Sequence, residues 1–270
     1  MTQITTVKGK VEIRELHSVD DMIAAEKIQL IVWGKDTIPH CKEMLIPVQH
    51  EGGLVAGAFS EEGEMIGLVF GFPCSEGGAM HSQLVATLKE WRSQGIGTQL
   101  KWYQRTWCLD HGYSKMRWTV DPLRAANAEL NIRKLGGTSC TYYENYYGVM
   151  QGIDAGAPSD RLLLEWNMTS QRVALRAQNT PADLGFPQAG LANRVVDGEP
   201  ANPRLDLHVE QVLIRIPDDF ISFAAREAHL ANRWRLHTRE LFEYYFARGY
   251  QITEFTRLGG PAYLLEKKAD

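Results

Sequence analysis

The sequence predicts an α/β chain built around a mixed sheet, and three observations carry that expectation. Strand-like and helix-like segments alternate through residues 1–168. A glycine-bearing turn, Arg92-Ser93-Gln94-Gly95-Ile96-Gly97, joins a strand at His81–Leu88 to a helix whose Ile96, Leu100, Tyr103 and Trp107 share one face. After Leu207 a strand–helix–helix–strand–strand order follows, this time without a glycine turn.

The elements follow in order. Val11–Leu16 has strand character, and Ser18-Val19-Asp20-Asp21 opens a helix running to about Val32, with Ser18 as its N-cap. A second helical stretch covers Pro39–His50. Gly53–Phe59 and Glu64–Phe72 are strands joined by the hairpin turn Ser60-Glu61-Glu62-Gly63. The strand, glycine turn and helix already described come next, and Gly112 stops that helix after Asp110. Lys115–Val120 alternates Met116, Trp118 and Val120 against Arg117 and Thr119, the pattern of a half-buried strand. Asp121-Pro122 ends it, because proline cannot continue a central ladder. Ala125–Leu135 is helical with Ala128, Ile132 and Leu135 inward, and Gly136-Gly137 terminates it. Tyr142–Met150 is aromatic-rich and irregular, and Asp160–Trp166 is a final strand.

Three segments result: a domain over 1–168, an irregular connector over 169–206 carrying Pro181, Pro187, Pro200 and Pro203, and a C-terminal extension over 207–270. In the extension, Val212–Ile216 is a strand and Asp218–Ala228 a short helix. A longer helix to Arg248 turns Leu230, Trp234, Leu241 and Tyr245 inward, and Gln251–Thr256 pairs with Ala262–Glu266.

With 270 residues and a net charge of −4, the chain has no general attraction to nucleic acid or to an anionic membrane. An anion site must therefore be local. The four cysteines, Cys41, Cys74, Cys108 and Cys140, lie far apart with no C-x-x-C pair, which argues against both a disulfide framework and a metal site. No apolar run reaches membrane-spanning length and the N-terminus has no signal-peptide core, so a cytoplasmic location is expected.

The glycine turn is that local site. The first amides of a helix have no intrahelical partner, and the helix dipole favours negative charge beside them. Glycine lets the backbone approach a polyphosphate closely. A dinucleotide fold would place a third glycine at position 100, which is Leu, and a Walker loop would continue Gly-Lys-Ser/Thr where this chain has Gly97-Thr98-Gln99.

The Arg-x-x-Gly-x-Gly pattern in this setting resembles the acyl-coenzyme A pyrophosphate loop of the GNAT superfamily of N-acyltransferases, and the element order from Val11 to Met168 resembles a complete GNAT domain. Trp118-Thr-Val-Asp-Pro-Leu with Asn127-Ala resembles the fifth strand and following helix. The same tryptophan motif, together with Tyr142-x-x-Asn145-x-Tyr147-Gly148 and Ser159-Asp-Arg-Leu-x-x-x-Trp166, resembles a longer, poorly characterised bacterial branch of acyltransferases. The C-terminal extension is similar to the second half of a GNAT domain. The resemblance implies acetyl-CoA or a larger acyl-CoA, such as succinyl-CoA, as co-substrate, and transfer by direct attack to the primary amine of a small molecule such as an amino acid. Amides of Gln94, Gly95, Ile96, Gly97 and Thr98 would cradle the pyrophosphate, with Arg92 adding charge-assisted contacts. The preceding strand would diverge from its neighbour near Ala86 and Thr87, where the pantetheine arm can pair as an added strand. Asn127 matches a position that helps hold the cofactor.

Amine acylation needs an acid for the departing thiolate and a base or water for the ammonium. The family's usual acid is a Tyr four residues before the helix-ending glycine, and that position here is Ile132. Replacements lie just downstream at Tyr142, Tyr143, Tyr146 and Tyr147. Tyr147 leads, because Tyr147-Gly148 permits a tight turn beside a pocket, and aromatic packing is the competing account. Among His81, Glu90 and Asp121, Asp121 is the favoured base, at the carboxyl end of a strand where open sheets place ligands, although a turn-forming Asp before proline explains it almost equally well. Arg117, Arg124 and Arg161 could fork an acceptor's carboxylate. Two classes of function stay open: an N-acyltransferase, or a non-catalytic acyl-CoA-binding sensor or partner module, the second motivated by Ile132 and the extra C-terminal unit. That unit is expected to shape the acceptor side, and an exposed part of its aromatic run Phe242–Phe246 would point to a homodimer.

Overall fold

The computed structural model describes residues 1–148, 158–178, 181, 184–224 and 226–268. The chain divides into two compact units, the first formed by Met1–Trp118 with Asn167–Thr169 and the second by the described residues from Thr119 onward outside that set.

In the first unit, β1 (Thr2–Thr6) and β2 (Gly9–Glu15) form an antiparallel hairpin. Strand β1 was not expected, because its short polar sequence and mostly exposed residues carry no apolar alternation. Helix α1 (Val19–Trp33) starts where the sequence places it: the Ser18 hydroxyl accepts from the Asp21 amide at 3.0 Å. Helix α2 (Lys42–His50) begins after Pro39, with Cys41 at its N-cap. Strands β3 (Leu54–Phe59) and β4 (Met65–Pro73) are joined by the expected turn, the Ser60 amide donating to the Glu64 carbonyl at 2.9 Å. All of β3 and most of β4 are buried, as strands covered on both faces must be. Strand β5 (Ala79–Thr87), a 3-10 turn (Lys89–Trp91), helix α3 (Ile96–Asp110) and strand β6 (Lys115–Val120) follow. The sheet order is β1-β2-β3-β4-β5-β6, antiparallel up to β5 and parallel between β5 and β6. Helix α3 seats its Ile96 and Leu100 on Gly67 of β4, where an added Cβ would lie 2.9 Å from Leu100 Cδ1.

The second unit takes in residues that the sequence assigned to the first domain. Helix α4 (Ala125–Ala128) runs into a π-helical stretch, Glu129–Lys134, in place of one α-helix to Leu135. Strand β7 (Thr138–Tyr143) replaces the expected irregular start of the aromatic segment; Val149 and Met150 lie outside the described residues. Then come β8 (Arg161–Asn167) and α5 (Gln171–Gln178). Three short strands follow, β9 (Gly190–Leu191), β10 (Arg194–Val196) and β11 (Glu199–Ala201), so the connector is more ordered than its prolines suggest. Strand β12 (Gln211–Arg215), helices α6 (Phe220–Ala224) and α7 (Ala228–Phe246), and strands β13 (Tyr250–Thr256) and β14 (Ala262–Lys267) reproduce the expected order. The sheet runs β8-β7-β13-β14-β12-β9; among the described residues β9 and β12 pair in parallel and the other neighbours antiparallel.

By contacts the chain divides near residue 118 and not at residue 168. Ser139 of β7 pairs with Ile252 of β13, and the Tyr263 hydroxyl donates to the Pro122 carbonyl at 3.0 Å, tying residues 119–166 to the C-terminal strands. Trp234, Leu241 and Tyr245 of α7 are buried as expected, whereas Leu230 is only partly covered and Ala231 and Arg235 take the inward places beside it. Phe242 and Tyr245 are fully buried within this unit, whereas Tyr244 and Phe246 of the same run are partly exposed.

Candidate functional site

Strand β5 hands the chain to α3 through a loop whose backbone is set by two left-handed residues, Ser93 at φ +61° and Gly95 at φ +80°. Gly95 is the N-cap of α3; no side chain caps the helix and its first turn holds no acidic residue. The leading amides of α3 are thus left for an external acceptor, in a field that favours an anion. The two glycines differ in cause. At Gly95 the positive φ calls for glycine, whereas at Gly97 a Cβ would meet nothing nearer than Thr87 Oγ1 at 3.7 Å. The fold itself does not demand glycine at 97. Gln94 and Thr98 are half-exposed at this bend, and Arg92 is exposed with its Nε 3.4 Å from the Thr87 carbonyl.

The strand before the loop has the expected open edge. Pairing of β5 with β6 covers only Ala79↔Lys115, Met80↔Met116 and His81↔Arg117, while β4 follows β5 all the way to Gly67↔Thr87. From Ser82 to Thr87, including Ala86 and Thr87, the groups of β5 that point away from β4 meet no β6 partner among the described residues. An extended amide-bearing chain can pair there.

A lysine that the sequence reading passed over lies where the pairing stops. Lys101, 2% exposed, donates to Ser82 Oγ and Gln104 Oε1, both at 2.9 Å, and its Nζ sits 4.0 Å from the Trp118 ring centre. Burial brings its ammonium down to about 7. The nearby Cys108 thiol is pushed up to about 12 by burial, which leaves it an unreactive packing group. The available signal was a polar stripe, Lys101, Gln104 and Cys108 at i, i+3 and i+7, inside an otherwise amphipathic helix. His81, stacked on Phe72 at 5.1 Å, is held below its ordinary pKa by burial and by the charges of Lys101 and Arg117, so its imidazole is neutral at neutral pH. Glu90 is exposed in the 3-10 turn.

In the second unit the acid–base candidates have other duties. Asp121, favoured as the base, is a buried ion-pair partner: Arg235 donates to its two oxygens at 2.7 and 2.9 Å, and the Leu123 amide to one of them at 2.9 Å. Burial alone would raise its pKa, but the Arg235 charge and hydrogen bonds outweigh that and hold it below the usual carboxylate range. With both oxygens engaged it is a poor proton acceptor, and the sequence assignment is corrected. Tyr142 is likewise committed, its hydroxyl donating at 2.7 Å to Asp160, which Arg239 grips at 2.8 and 2.9 Å. Burial, then the Asp160 charge, raises the Tyr142 pKa far above its ordinary value, which weakens it as an acid. Tyr147 is about half exposed, with its hydroxyl 3.1 Å from Thr119 Oγ1 and its ring edge-on to Tyr146. Of the two phenols it is the less constrained. Asn127 is half-buried at the end of α4, its carbonyl accepting from Asn131 Nδ2. Ile132 is 1% exposed and packs in the core.

The expected carboxylate forks are also engaged: Arg117 with Glu76 at 3.3 Å, Arg124 with Asp121 at 4.0 Å, and Arg161 with the Asp160 carbonyl and the Tyr147 face. Arg235 and Arg239 were missed. Their signal was a pair of arginines four apart, with Arg235 on the buried face of α7 defined by Ala231, Trp234 and Thr238. Among the described residues no cluster of three or more His, Cys, Asp or Glu side chains could hold a metal ion, and no helix is long and apolar enough to cross a membrane.

A glycine turn with free helix amides thus stands beside a strand whose edge opens after three parallel pairs. Residues 22–136 match the Acetyltransferase (GNAT) family, and the chain's mixed α/β sheet is of the GNAT type, with added C-terminal strands. No curated protein sequence matches the chain. Similar solved structures include the ribosomal-protein-S18-alanine N-acetyltransferase of Escherichia coli, with 18% identity and a TM-score of 0.49 over 65% of this chain and 99% of that one. A GNAT family acetyltransferase of Elizabethkingia anophelis with acetyl-CoA bound shows 17% identity and a TM-score of 0.45 over 58% and 97%. A phosphinothricin acetyltransferase of Sinorhizobium meliloti in complex with AcCoA shows 17% and 0.46 over 57% and 86%. Likenesses of this size add nothing to the family match.

Proposed function

We propose that the protein is an N-acyltransferase that moves an acetyl or larger acyl group from CoA to the primary amine of a small molecule. The observation that carries this reading is the pairing of an open β5 edge with a glycine-led helix N-terminus that the fold itself does not require at Gly97. The pyrophosphate would lie on the amides from Gln94 to Thr98 beside Arg92, and the pantetheine amides along Ser82–Thr87. Between Tyr142 and Tyr147, Tyr147 has the less constrained phenol and is the candidate acid for the thiolate. His81, kept neutral, replaces Asp121 as the side chain able to take one. Neither donor nor acceptor is fixed beyond these classes.

A second reading, an acyl-CoA-binding sensor without turnover, is favoured by Ile132 at the usual acid position, by the Arg235 ion pair that absorbs Asp121 and by the hydrogen bond to Asp160 that absorbs Tyr142. Calorimetry with acetyl-CoA and succinyl-CoA, run with a free-thiol assay over an amine panel, separates the two. Gly97→Asp is expected to abolish binding in a folded protein by setting a carboxylate against the pyrophosphate. Undiminished affinity would remove the loop from the assignment. Tyr147→Phe is expected to lower turnover about tenfold or more with affinity unchanged; wild-type turnover would return Tyr147 to packing, and tight binding with no thiol released from acyl-CoA in the presence of any amine would establish the sensor.

A further inference from the structure

Strand β5 carries a bulge just past the point where its pairing with β6 ends. Phe70 of β4 faces Leu84 and Gly71 faces Ser82, so Gln83 has no residue opposite it on β4. An extra residue of this kind bends a strand and re-aims its own side chain. Gln83 also stands at one end of the open edge. With pyrophosphate on the 92–98 loop, an extended arm runs back along β5 from Thr87 and stops short of His81, where β6 takes up the pairing. The thioester at the end of that arm falls beside Ser82 and Gln83.

His40, in the segment between α1 and α2, reaches this bulge. Its Nε2 lies 3.3 Å from Gln83 Nε2, and its ring is edge-on to Phe70 at 5.4 Å. The tautomer of that ring follows from Gln29, which is 1% exposed. The Gln29 amide nitrogen donates to the Ala25 carbonyl at 2.9 Å and to the His40 carbonyl at 3.1 Å. The reverse orientation would set its oxygen against two carbonyl oxygens. Gln29 Oε1 therefore accepts, from the His40 amide at 2.9 Å and from His40 Nδ1 at 3.0 Å. Nδ1 then carries the hydrogen, and in the neutral ring Nε2 carries a lone pair. Gln83 donates to that lone pair across a long bond, which the N–H of an incoming amine can replace.

Burial holds the His40 imidazole below its ordinary pKa. The charged and titratable groups around it have their own partners. On α1 the Glu26 carboxylate accepts from the Lys42 amide, and Lys42 pairs with Glu43 at 2.7 Å. Cys41 is exposed, and on β5 the titratable neighbour is His81, itself kept neutral by burial and by Lys101 and Arg117.

The chemistry asks for two proton acceptors. An ammonium that becomes an amide gives up two protons from its nitrogen. One leaves so that the lone pair can attack the thioester carbon, and the other leaves once the C–N bond has formed and the C–S bond breaks. One of the two balances the proton gained by the departing thiolate, and the other passes to solvent. We infer that His40 is a further proton acceptor of this site, its Nε2 lone pair taking one of those two protons while Gln29 holds the ring in the receptive tautomer. The inference rests on the acyl-transfer reading and adds His40 to the His81 already named there.

The test uses the full-length protein, acetyl-CoA and the amines of the panel. His40→Asn keeps a donor for Gln29 Oε1 and removes the second ring nitrogen. It is expected to lower kcat about tenfold or more, with acetyl-CoA affinity within about twofold and the thermal unfolding midpoint in place. With saturating amine, the acid limb of log kcat against pH is expected to reach a slope of about two in the wild type and about one in the variant. Two-bond proton–nitrogen NMR of the wild type near neutral pH is expected to show hydrogen on Nδ1 and none on Nε2 of His40, the ring being assigned through its contact with Phe70. Wild-type kcat and slope in His40→Asn, a wild-type slope of about one, or a ring protonated on Nε2 would each overturn the inference and leave acyl transfer standing. No turnover by the wild type with any amine would remove the acyl-transfer reading and this inference with it. The wild-type slope and the spectrum need no variant.

Discussion

Lys101 is a single residue whose protonation the fold opposes. In the unfolded chain its amine holds a proton up to its ordinary 10.5; in the folded chain burial lowers that to about 7. Between those values the unfolded state binds the extra proton, so the contribution of this group to stability rises with pH, by at most about 1.4 kcal/mol per unit. Below pH 7 both states are protonated and the slope vanishes. Urea unfolding of wild type and Lys101→Met at several pH values from 7 to 10 is expected to show the wild type gaining steadily on the variant. Parallel curves would place the proton differently. Asp121 gives the opposite lesson, a charge the fold requires. Asp121→Asn leaves Arg235 buried without its counter-charge and is expected to destabilise by ~3–5 kcal/mol, whereas Asp121→Leu combined with Arg235→Met recovers most of the loss. A stable Asp121→Asn protein with depressed turnover alone would restore Asp121 to chemistry.

At the scale of elements, the loop and α3 separate what the fold needs from what a ligand needs. Gly97 lies in the first turn of a helix with open space around the site of a Cβ, so Gly97→Ala should fold at least as well as wild type, gaining up to ~1 kcal/mol in helix propensity. The same methyl would stand where phosphate must approach, and acyl-CoA affinity is expected to fall. Calorimetry beside thermal unfolding reads both quantities, and unchanged affinity would mean that the phosphates do not pass over residue 97. This element was legible because its signals are local: strand, glycine turn and amphipathic helix are contiguous, as are Ser18 before α1 and the Ser60–Gly63 turn. What the sequence hid was non-local or weakly patterned. Strand β1 is polar and short, and β7 opens with Thr138-Ser139-Cys140 and takes its strand character from partners at residues 161–165 and 252. The pairs Asp121–Arg235 and Asp160–Arg239 span 114 and 79 positions, beyond any periodicity. Those same pairs explain why the site was only partly readable: the loop announces itself, whereas the fate of Asp121 and Tyr142 depends on a helix far along the chain.

At the scale of the molecule, the ends of the chain are not separable in the way composition suggested. A chain cut after Met168 keeps the glycine loop and all of β5, yet loses Arg235 and Arg239 while retaining Asp121 and Asp160, which the full chain buries almost completely. Two carboxylates stripped of their arginines are expected to cost ~3–5 kcal/mol each, comparable to the whole stability of a domain. Residues 1–168 expressed alone should therefore be insoluble or molten by near-UV circular dichroism. A cooperatively folded fragment with full acyl-CoA affinity would show instead that the extension only adds to a finished domain.

The short register between β5 and β6 also bears on how the empty protein behaves in concentrated solution. From Ala79 to Leu88 the chain has no Lys, Arg, Asp, Glu or proline, and the first charges, Lys89 and Glu90, come just after the strand ends. A strand margin with unsatisfied amides, high β propensity and no gatekeeping charge is a template on which another extended segment can grow. An acyl-CoA lying along that margin would occupy the same hydrogen bonds. The cofactor would then act as a reversible cap against self-association, and purified protein freed of it should aggregate soonest.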